Sequence, residues 1–328
     1  MKHLRVAILA TAAALIGAPI VASASAQDYP TRPINLIVAF PAGGSTDIGA
    51  RVVGGIAEKM IGQPVVVVNK GGAGGQVGWT EMARAKPDGY TIGFINLPAT
   101  NTTILDAERQ AIFDENSFTP IINQVLDPGV IWVAAESPFK TLKDVLDAAK
   151  SKPGTVRAAT TGILSDDHLA ILMVEEANPG VNFRLVHLLG GAAQMKETLG
   201  GNIDVSFDNV GSIVTQVKGG KVRALAVMDT ERSKFLPDVP TTKELGMPTV
   251  ISSSTRGIAG PKGMDPAVVE KLRDVLSKAM ADADHIKRLE DAGLAIKVMI
   301  GAEYEAYYKE THEKAKKYTE WAKTRPQK

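Results

Sequence analysis

The sequence predicts an α/β protein with two lobes, each a mainly parallel sheet flanked by helices. Short apolar runs of strand length alternate with amphipathic stretches of helical length along most of the chain, a pattern typical of parallel sheets covered by helices on both faces. The chain has 328 residues, and the roughly 300 that follow its first apolar segment exceed what one hydrophobic core usually fills. We therefore expect one lobe from residues 27–126 and 231–328, and a second from residues 127–230.

The N-terminus, residues 1–26, has the layout of a secretory signal peptide. A short basic segment at residues 1–5 precedes an apolar run at 6–21, and small residues at 22–26 supply a cleavage site. A retained membrane anchor is the alternative, but the apolar run is short, and glycine and proline interrupt it. No cysteine follows the cleavage site, which excludes a bacterial lipoprotein anchor. We expect cleavage near Ala26 and a soluble, exported mature protein.

The composition excludes several classes of site. The chain has no cysteine, which removes disulfides, thiolate metal sites and thiol nucleophiles. Removing Lys2 and Arg5 from the 37 basic residues leaves 35 against 36 acidic residues. This balance, without a basic stripe interleaved with aromatics, argues against nucleic-acid binding. Aromatic residues make up only 5% of the chain, which argues against an aromatic stacking platform.

The first predicted strand leads into a glycine turn. Residues 36–40 are an apolar run ended by Pro41 and predict a strand buried on both faces. Gly43 and Gly44 tolerate positive φ and bring bare backbone close to a ligand, and one of the polar residues 45–47 would cap a helix. The N-terminus of that helix offers unpaired N–H groups and about half a positive charge, which suits a carboxylate or phosphate. A tight turn without a ligand is the alternative.

A second glycine turn follows the next predicted strand. Residues 64–69 predict that strand, and residues 70–76 contain four glycines before a predicted helix. Two such turns at the ends of neighbouring strands could converge on one ligand. The dinucleotide fingerprint does not fit, because Val77 stands where its third glycine or alanine belongs. Gly220 and Lys221 lack the other residues of a phosphate-binding P-loop, so we expect no nucleotide site.

Polar groups also follow a third predicted strand of the first lobe. Residues 90–95 predict that strand, and a loop at 96–103 supplies hydroxyls and amides at its C-terminal end, where ligands of open α/β sheets bind. A polar surface loop without a ligand is the alternative. Residues 118–124 predict another strand of this lobe and residues 130–134 the first strand of the second lobe, with a crossing at 127–129.

The second lobe repeats the order of strand, glycine turn and helix. A strand at residues 156–160 leads into a turn at 161–165. Ser165 is expected to cap the next helix. Asp166 and Asp167 in the first turn of that helix are expected to face water, where they complement the helix dipole without repelling an anionic ligand.

Three further strands complete the second lobe. Residues 183–187 predict a strand followed by a glycine turn at 188–194. Strands at 203–207 and 222–228 follow, and the chain returns to the first lobe through residues 229–232. Both crossings between lobes are short polar segments, which can act as hinges because a few positions absorb the change in φ and ψ.

The returning chain carries one prominent cation. Residues 241–245 are expected to be helical and residues 250–260 to lead past the cleft. Arg256 in this segment could bind a ligand carboxylate with two hydrogen bonds, which a main-chain loop cannot do. An ion pair that braces the interface between the lobes is the alternative. Amphipathic helices at 266–281 and 302–321 are expected to pack against the first lobe.

No catalytic or metal site is expected. A lone histidine beside a helix start, such as His168, is more often a hydrogen-bonded structural group than a base or a metal ligand, and no second ligand-type residue accompanies it at metal spacing. Ser165 and His168, on one helix start, would rarely reach the geometry of nucleophile and base, and the Gly-x-Ser-x-Gly pattern is absent. We expect no metal, no cofactor and no bond made or broken in the ligand.

A set of short motifs after the signal peptide resembles those of the tripartite tricarboxylate transporter substrate-binding proteins, the TctC or Bug-type periplasmic receptors. The resemblance covers the whole mature chain, with the motifs in the same order and at the same spacing. They lie at residues 29–34, 40–51, 69–75, 87–91, 161–168, 199–204, 208–209, 223–227 and 236–241.

This resemblance implies a periplasmic binding protein of the two-lobed type II fold, with a ligand cleft between the lobes. Such a protein closes on a small organic carboxylate, a di- or tricarboxylate or a related acid. It then delivers the ligand to the membrane subunits of a tripartite transporter. Presentation of the ligand to a sensor kinase is the alternative. We expect the mature protein to act as a monomer, outside the membrane and without nucleic acid.

The expected ligand contacts come from both lobes, where backbone N–H groups and hydroxyls would bind carboxylates. The resemblance assigns this role to Ala42, Gly43, Gly44, Gly74, Gly75, Thr161, Gly162 and Asp208. The residue patterns add Ser45, Thr46, Asn96, Thr160, Ser165, Gly191 and Arg256. Asp47 is assigned instead to capping and support of its loop.

Overall fold

The computed structural model describes residues 29–325 and confirms an α/β protein with two lobes. The predicted signal peptide lies outside the described residues. The strands are β1 (Ile34–Val38), β2 (Val65–Asn69), β3 (Thr91–Ile95), β4 (Phe118–Ala134), β5 (Arg157–Thr160), β6 (Arg184–His187), β7 (Val205–Asn209), β8 (Val222–Met228), β9 (Ser253–Pro261) and β10 (Ile296–Ile300). The helices are α1 (Ser45–Ile61), α2 (Gln76–Arg84), α3 (Ala99–Leu105), α4 (Leu142–Ser151), α5 (Asp166–Ala177), α6 (Gly191–Leu199), α7 (Val210–Lys218), α8 (Pro266–Met280), α9 (Ala283–Asp291) and α10 (Gly301–Thr324).

The strands form one hydrogen-bonded network with a parallel group at each end. Its order is β2-β1-β3-β9-β4-β7-β5-β6, with β8 and β10 also paired to β4. In the first lobe β1 runs parallel to β2 and β3, and in the second β5 runs parallel to β6 and β7. Strands β4 and β9 pair antiparallel between these two groups. The carboxyl ends of the parallel strands therefore point to the loops that carry the predicted glycine turns.

One continuous strand joins the two lobes. β4 has 17 residues and pairs with β9 and β10 along its first part and with β7 and β8 along its last part. The break between two strands expected at the Asp-Pro-Gly sequence at 127–129 is therefore wrong, although β4 does change its pairing partners at this point. These residues stay extended because β9 pairs beside them and the N–H of Gly129 donates to the carbonyl of Ser252 at 2.8 Å.

The segment between β8 and β9 is also more extended than expected. Residues 241–245 form turns, where a helix was expected. The backbone N–H of Thr242 donates to the carbonyl of Val227 at 2.8 Å, and the N–H of Ser252 donates to that of Met228 at 3.0 Å. These hydrogen bonds hold the segment against β8. The N–H of Leu245 donates to the carbonyl of Thr241 at 3.1 Å, so the helical geometry is limited to a single turn.

The helix α10 packs on both lobes. Its first half places Tyr304 and Tyr308 in an apolar cluster of the first lobe, as expected. Its second half places Ala315 and Tyr318 in the main core of the second lobe, and the hydroxyl of Tyr318 donates to Glu176 of α5 at 2.7 Å. The sequence analysis placed the C-terminal helix on the first lobe alone, and the structure shows that it also packs on the second. None of the helices within residues 29–325 is long and apolar enough to cross a membrane.

A close contact between β9 and α10 gives a test of this packing. A Cβ on Gly257 would lie 1.9 Å from the hydroxyl oxygen of Tyr304, a fully buried side chain. Gly257→Ala should therefore lower the free energy of unfolding by about 1 to 3 kcal/mol, because the core is already filled at this point. Urea denaturation measures the change. Tyr304→Phe is the control, since its hydroxyl has no hydrogen-bond partner and should be dispensable. A Gly257→Ala protein as stable as the wild type would contradict the packing described here.

Candidate functional site

The N-terminus of α1 is an uncapped group of backbone donors. The helix begins at Ser45, and its N-cap is Gly44, with φ −77° and ψ 168°. No side chain caps this end of the helix. The expectation that Ser45, Thr46 or Asp47 provides the cap is wrong, because all three lie within the helix. The first N–H groups of α1 are therefore left for solvent or a ligand.

Asp47 holds the glycine turn that precedes α1. Gly43 has φ +85°, and its N–H donates to Oδ2 of Asp47 at 2.8 Å. Asn69 donates to Oδ1 of the same carboxylate at 2.9 Å, and Arg51 pairs with it at 3.0 Å. Although burial alone would raise it, hydrogen bonds from Arg51, Gly43 and Asn69 lower the pKa of Asp47. The N–H of Gly43 is thus already used, and Asp47 has the loop-supporting contacts expected of it.

The second glycine turn lies beside the first. A Cβ on Gly71 would be 3.3 Å from Cδ of Pro41, which places the ends of β1 and β2 side by side as expected. Gly74 and Gly75 lie in a short 3₁₀ turn. A Cβ on Gly75 would meet the indole of Trp79 at 2.6 Å, and one on Gly74 would meet Nη1 of Arg109 at 2.9 Å. These two glycines are therefore packed against neighbouring side chains.

Asn96 connects the end of β3 to the first turn of α1. Its Nδ2 donates to Oγ1 of Thr46 at 3.0 Å. Its Oδ1 is buried and has no partner among the described residues. The expectation of an open polar loop at residues 96–103 is otherwise wrong. Residues 99–105 form the helix α3, and the side chains of residues 100–103 are buried. Of the residues expected in that loop, Asn96 is the one whose side chain hydrogen-bonds to α1 within residues 29–325.

The turn after β5 has the same design as the turn before α1. The N–H of Thr161 donates to Oδ2 of Asp167 at 3.0 Å, and its hydroxyl donates to the same oxygen at 2.5 Å. Thr160 contacts His187 Nδ1 at 2.8 Å and donates to the carbonyl of Gly162. In each lobe a carboxylate in the first turn of a helix thus accepts the N–H of the turn before it.

The helix α5 is capped as expected, but its acidic residues do not face water. Ser165 is the N-cap and accepts the N–H of His168 at 3.3 Å. Asp167 is buried, and Asp166 is half-buried, with Oδ2 accepting from Nδ2 of Asn209 at 2.9 Å. The expectation that both are solvated is wrong, because the turn at 161–165 folds over Asp167 and β7 covers Asp166.

His168 is a structural residue, as expected from the sequence. It is buried, and its Nδ1 accepts the N–H of Leu164 at 3.1 Å. Its ring lies 4.6 Å from that of His187. Burial lowers the pKa of His168 to about 3. The neutral imidazole therefore holds the turn, and the hydrogen bond occupies the nitrogen that a base would need.

A second uncapped helix begins beside Asp208. The N-cap of α6 is Gly190, with φ +90°, and no side chain caps it. A Cβ on Gly191 would lie 3.4 Å from Oδ2 of Asp208 at the end of β7. The N–H of Gly190 donates to the carbonyl of Thr161, which joins this turn to the one after β5. Three of the expected residues of the second lobe, Thr161, Gly191 and Asp208, are therefore neighbours.

Arg256 and Asp127 form a buried polar group where the two lobes meet, called the floor of the site below. Arg256 is 5% exposed, and its Nε and Nη2 donate to Oγ of Ser45 at 3.1 and 3.0 Å. Its Nη1 lies 3.5 Å from Oδ2 of Asp127. The other oxygen of Asp127 accepts the N–H of Gly211 in α7 at 3.1 Å. These contacts join α1, β9, β4 and α7. They match the alternative given for Arg256 in the sequence analysis, an ion pair that braces the interface between the lobes.

Four carboxyl groups share this floor with one guanidinium. Burial raises the pKa of Asp127 to about 6, against the lowering effect of Arg256, and raises the pKa of Asp208 to about 7. Burial also raises the pKa of Asp166, and burial together with its acidic neighbours raises that of Asp167 well above its usual range. The sequence did not indicate this cluster. A charged residue inside the apolar run of β4 was the one available signal, because such a residue is rarely buried without a partner.

Comparisons with known proteins bear on the family and the fold of the chain. A model of the tripartite tricarboxylate transporter family receptor matches residues 49–322. The chain is 35% identical over 316 residues to the UPF0065 protein in the gbd 5′ region of Cupriavidus necator, which covers 95% of this chain and 94% of that protein. Among solved structures, a TctC solute-binding protein from Polaromonas is 31% identical, with a TM-score of 0.76 over 89% of this chain and 99% of that one. MatC from Rhodopseudomonas palustris, solved with bound malate, is 25% identical, with a TM-score of 0.75 over 89% and 100% of the two chains. These likenesses confirm the two-lobed periplasmic-binding-protein fold.

The raised pKa of Asp208 predicts a stability that depends on pH. Its folded-state pKa of about 7 lies above the ordinary value of 3.8, so the folded protein holds a proton that the unfolded chain has lost. Stability should therefore fall as pH rises from about 4 to 8. Asp208→Asn should remove this loss and stabilise the protein at pH 8 by about 1 to 3 kcal/mol more than at pH 4.5. Urea denaturation at both pH values measures it.

Asp238→Asn is the matched control, because it makes the same change from carboxyl to amide at an exposed position. If Asp208→Asn behaved like this control, Asp208 would not be a buried carboxyl of the kind described.

Proposed function

Because the chain belongs to the tripartite tricarboxylate transporter family of receptors, we propose that it captures a small organic carboxylate in the periplasm and delivers it to the membrane subunits of such a transporter. Capture makes and breaks no bond in the ligand. The malate in the structure of MatC supports a carboxylate as ligand class. A secreted binding module that presents the same ligand to a sensor kinase is the second candidate, and genes encoding two membrane subunits beside this one would favour transport.

One observation carries this proposal: the uncapped N-terminus of α1 lies against the buried guanidinium of Arg256. The N–H groups of Ser45 and Thr46 have no acceptor within residues 29–325. Arg256 bonds the hydroxyl of Ser45 from the adjacent strand. A helix N-terminus and a guanidinium side by side favour an anion through both direct hydrogen bonds and electrostatic attraction. Among such anions, the malate bound by MatC favours a carboxylate.

We propose that the remaining predicted contacts surround this group. In the first lobe, Ala42 and Gly44 are exposed in the turn. The unpartnered Oδ1 of Asn96 is an acceptor, so it would bind a hydroxyl of the ligand and not its carboxylate. In the second lobe, the uncapped first turn of α6 at Gly191 provides further N–H donors. Gly43 and Thr161 take a supporting part, because their N–H groups already bind Asp47 and Asp167. This arrangement gives each lobe one set of open donors and one internal brace.

We further propose that ligand draws the two lobes together, with residues 27–126 and 231–328 in one lobe and 127–230 in the other. Two connections between β-structures would act as hinges, the middle of β4 and the segment that joins β8 to β9. Gly129 and Ser252 hydrogen-bond between them. The helix α10 packs on both lobes, so it would limit the amplitude of closure.

A cap placed on α1 should remove carboxylate binding without harming the fold. A Cβ on Gly44 meets no atom closer than the Pro41 carbonyl at 3.7 Å, and its φ of −77° suits any residue. In Gly44→Asp the new carboxylate would cap the helix and take the place of the ligand. Stability should be unchanged or rise by up to about 1 kcal/mol. The stabilisation by a small organic acid, about 2.7 kcal/mol at a hundred times its dissociation constant, should disappear. Thermal-shift assays with a panel of organic acids measure both effects.

Gly55→Asp is the matched control for this variant. Gly55 is an exposed glycine of the same helix with open space around it, so the same change in charge should leave the ligand response intact. An undiminished response in Gly44→Asp would show that α1 does not bind the ligand. A wild-type response only to neutral or cationic compounds would overturn the proposed ligand class.

Lobe closure predicts a change of shape. Small-angle X-ray scattering of the wild-type protein should give a smaller radius of gyration in the presence of the acid that produces the largest thermal shift. The same acid should leave the radius of Gly44→Asp unchanged, because that variant would not bind it. An unchanged scattering profile of the wild type at saturating acid would contradict ligand-induced closure of the lobes.

A further inference from the structure

Arg256 would hold two negative groups at once when the site is occupied. Its Nη1 lies 3.5 Å from Oδ2 of Asp127, and its Nε and Nη2 donate to the hydroxyl of Ser45 at the start of α1. The side chains of Arg256 and Asp127 are only 6% and 1% exposed. The carboxylate proposed above would approach the same guanidinium from α1. One cation would then face two carboxylates in buried surroundings, where like charges repel strongly.

Asp127 has little else to stabilise its negative charge. One of its oxygens accepts the N–H of Gly211 at 3.1 Å, while Oδ2 is buried and accepts no hydrogen bond within residues 29–325. Burial raises the pKa of Asp127 to about 6, against the lowering effect of Arg256. A second anion at Arg256 would offset that lowering effect and raise the pKa further.

The other groups around Asp127 add no positive charge. Besides burial, repulsion from Asp166 of α5 raises the pKa of Asp127. Burial, and after it repulsion from Asp166 and Asp127, likewise raises the pKa of Asp208 on β7. The contact from α7 is the uncharged N–H of Gly211. Arg256 is the one cation paired with Asp127 in the described part of the chain, so a proton from solvent is the remaining source of compensating charge.

We propose that binding of a carboxylate beside Arg256 is coupled to the uptake of one proton by Asp127. This inference rests on the proposed function and concerns the regulation of the same site. The proton comes from solvent and adds to Oδ2 of Asp127, which becomes a neutral carboxylic acid. The bound carboxylate then replaces Asp127 as the anionic partner of the guanidinium, and the net charge of the site stays constant.

The coupling predicts how the affinity depends on pH. The pKa of Asp127 is about 6 in the free protein and would be higher in the complex. Between these two values the complex holds a proton that the free protein has lost. The affinity should therefore be highest below pH 6 and should fall as pH rises through this window.

Calorimetry of the wild-type protein counts the proton directly. Malate, succinate and adipate are almost fully ionised at pH 7, so their own titration contributes little. Each would be titrated in MOPS, imidazole and Tris, because the observed heat changes with the buffer's heat of ionisation in proportion to the protons taken up. For the acid that binds most tightly, we expect uptake of at least about half a proton per molecule bound, and a dissociation constant about three- to tenfold higher at pH 8 than at pH 7.

Asp127→Asn tests which group accepts the proton. The proton uptake of this variant should fall below about a quarter of a proton, and its affinity should no longer depend on pH in this range. Asp238→Asn, at an exposed position, should behave like the wild type. Infrared difference spectroscopy of the wild type does not depend on whether the variant folds. Addition of the acid with ¹³C-labelled carboxyl groups should increase the C=O stretching band of an unlabelled, protonated carboxyl group.

The outcomes distinguish this inference from the proposed function. Binding of an acid without proton uptake, or with proton release, would overturn the coupling and leave carboxylate capture standing. Undiminished uptake in a folded Asp127→Asn protein, or no gain of the infrared band in the wild type, would also overturn it. Lack of binding by all three acids at millimolar concentration would count against both the coupling and the proposed function.

Discussion

The buried carboxylate of Asp127 is the point on which both lobes converge. It lies in the middle of β4, the strand that pairs with β9 and β10 on one side of this point and with β7 and β8 on the other. One oxygen accepts the N–H of Gly211 in the second lobe, and the other faces Arg256 of the first. A buried charge is stable only with such partners. The position of Arg256, and through it that of Ser45 at the start of α1, therefore depends on this carboxylate.

The two lobes support their turns by the same physical device. Asp47 and Asp167 each lie in the first turn of a helix and accept an N–H of the preceding turn. The device fixes the turn and removes that N–H from the ligand. The result differs between the lobes, because α1 begins with the bare Gly44 whereas α5 begins with the capping Ser165. Open donors are then found at α1 in the first lobe and at α6 in the second.

The sequence predicted the fold better than the contacts of the site. Apolar runs located β1 to β8, since local periodicity reflects burial, but β9 and β10 were not predicted. Ser165 was recognised as a cap because capping is a local interaction. The Asp-Pro-Gly sequence in β4 misled, because pairing with β9 overrides a turn propensity that only local residues express. The solvent exposure expected for Asp166 and Asp167 was wrong because it too depends on contacts distant in sequence. Whether a helix start faces water depends on β7 and the turn at 161–165, which no spacing along the chain reveals. The ligand contacts themselves remain proposals.

The central claim is that open N–H groups at the start of α1 bind the ligand carboxylate, while the N–H groups held by Asp47 and Asp167 do not. Nuclear magnetic resonance of ¹⁵N-labelled protein tests it directly, during titration with the acid that stabilises the protein most. The account predicts large downfield shifts of the amide protons of Ser45 and Thr46, with much smaller shifts at Gly43 and Thr161. Large shifts at Gly43 and Thr161, with Ser45 and Thr46 unaffected, would contradict it.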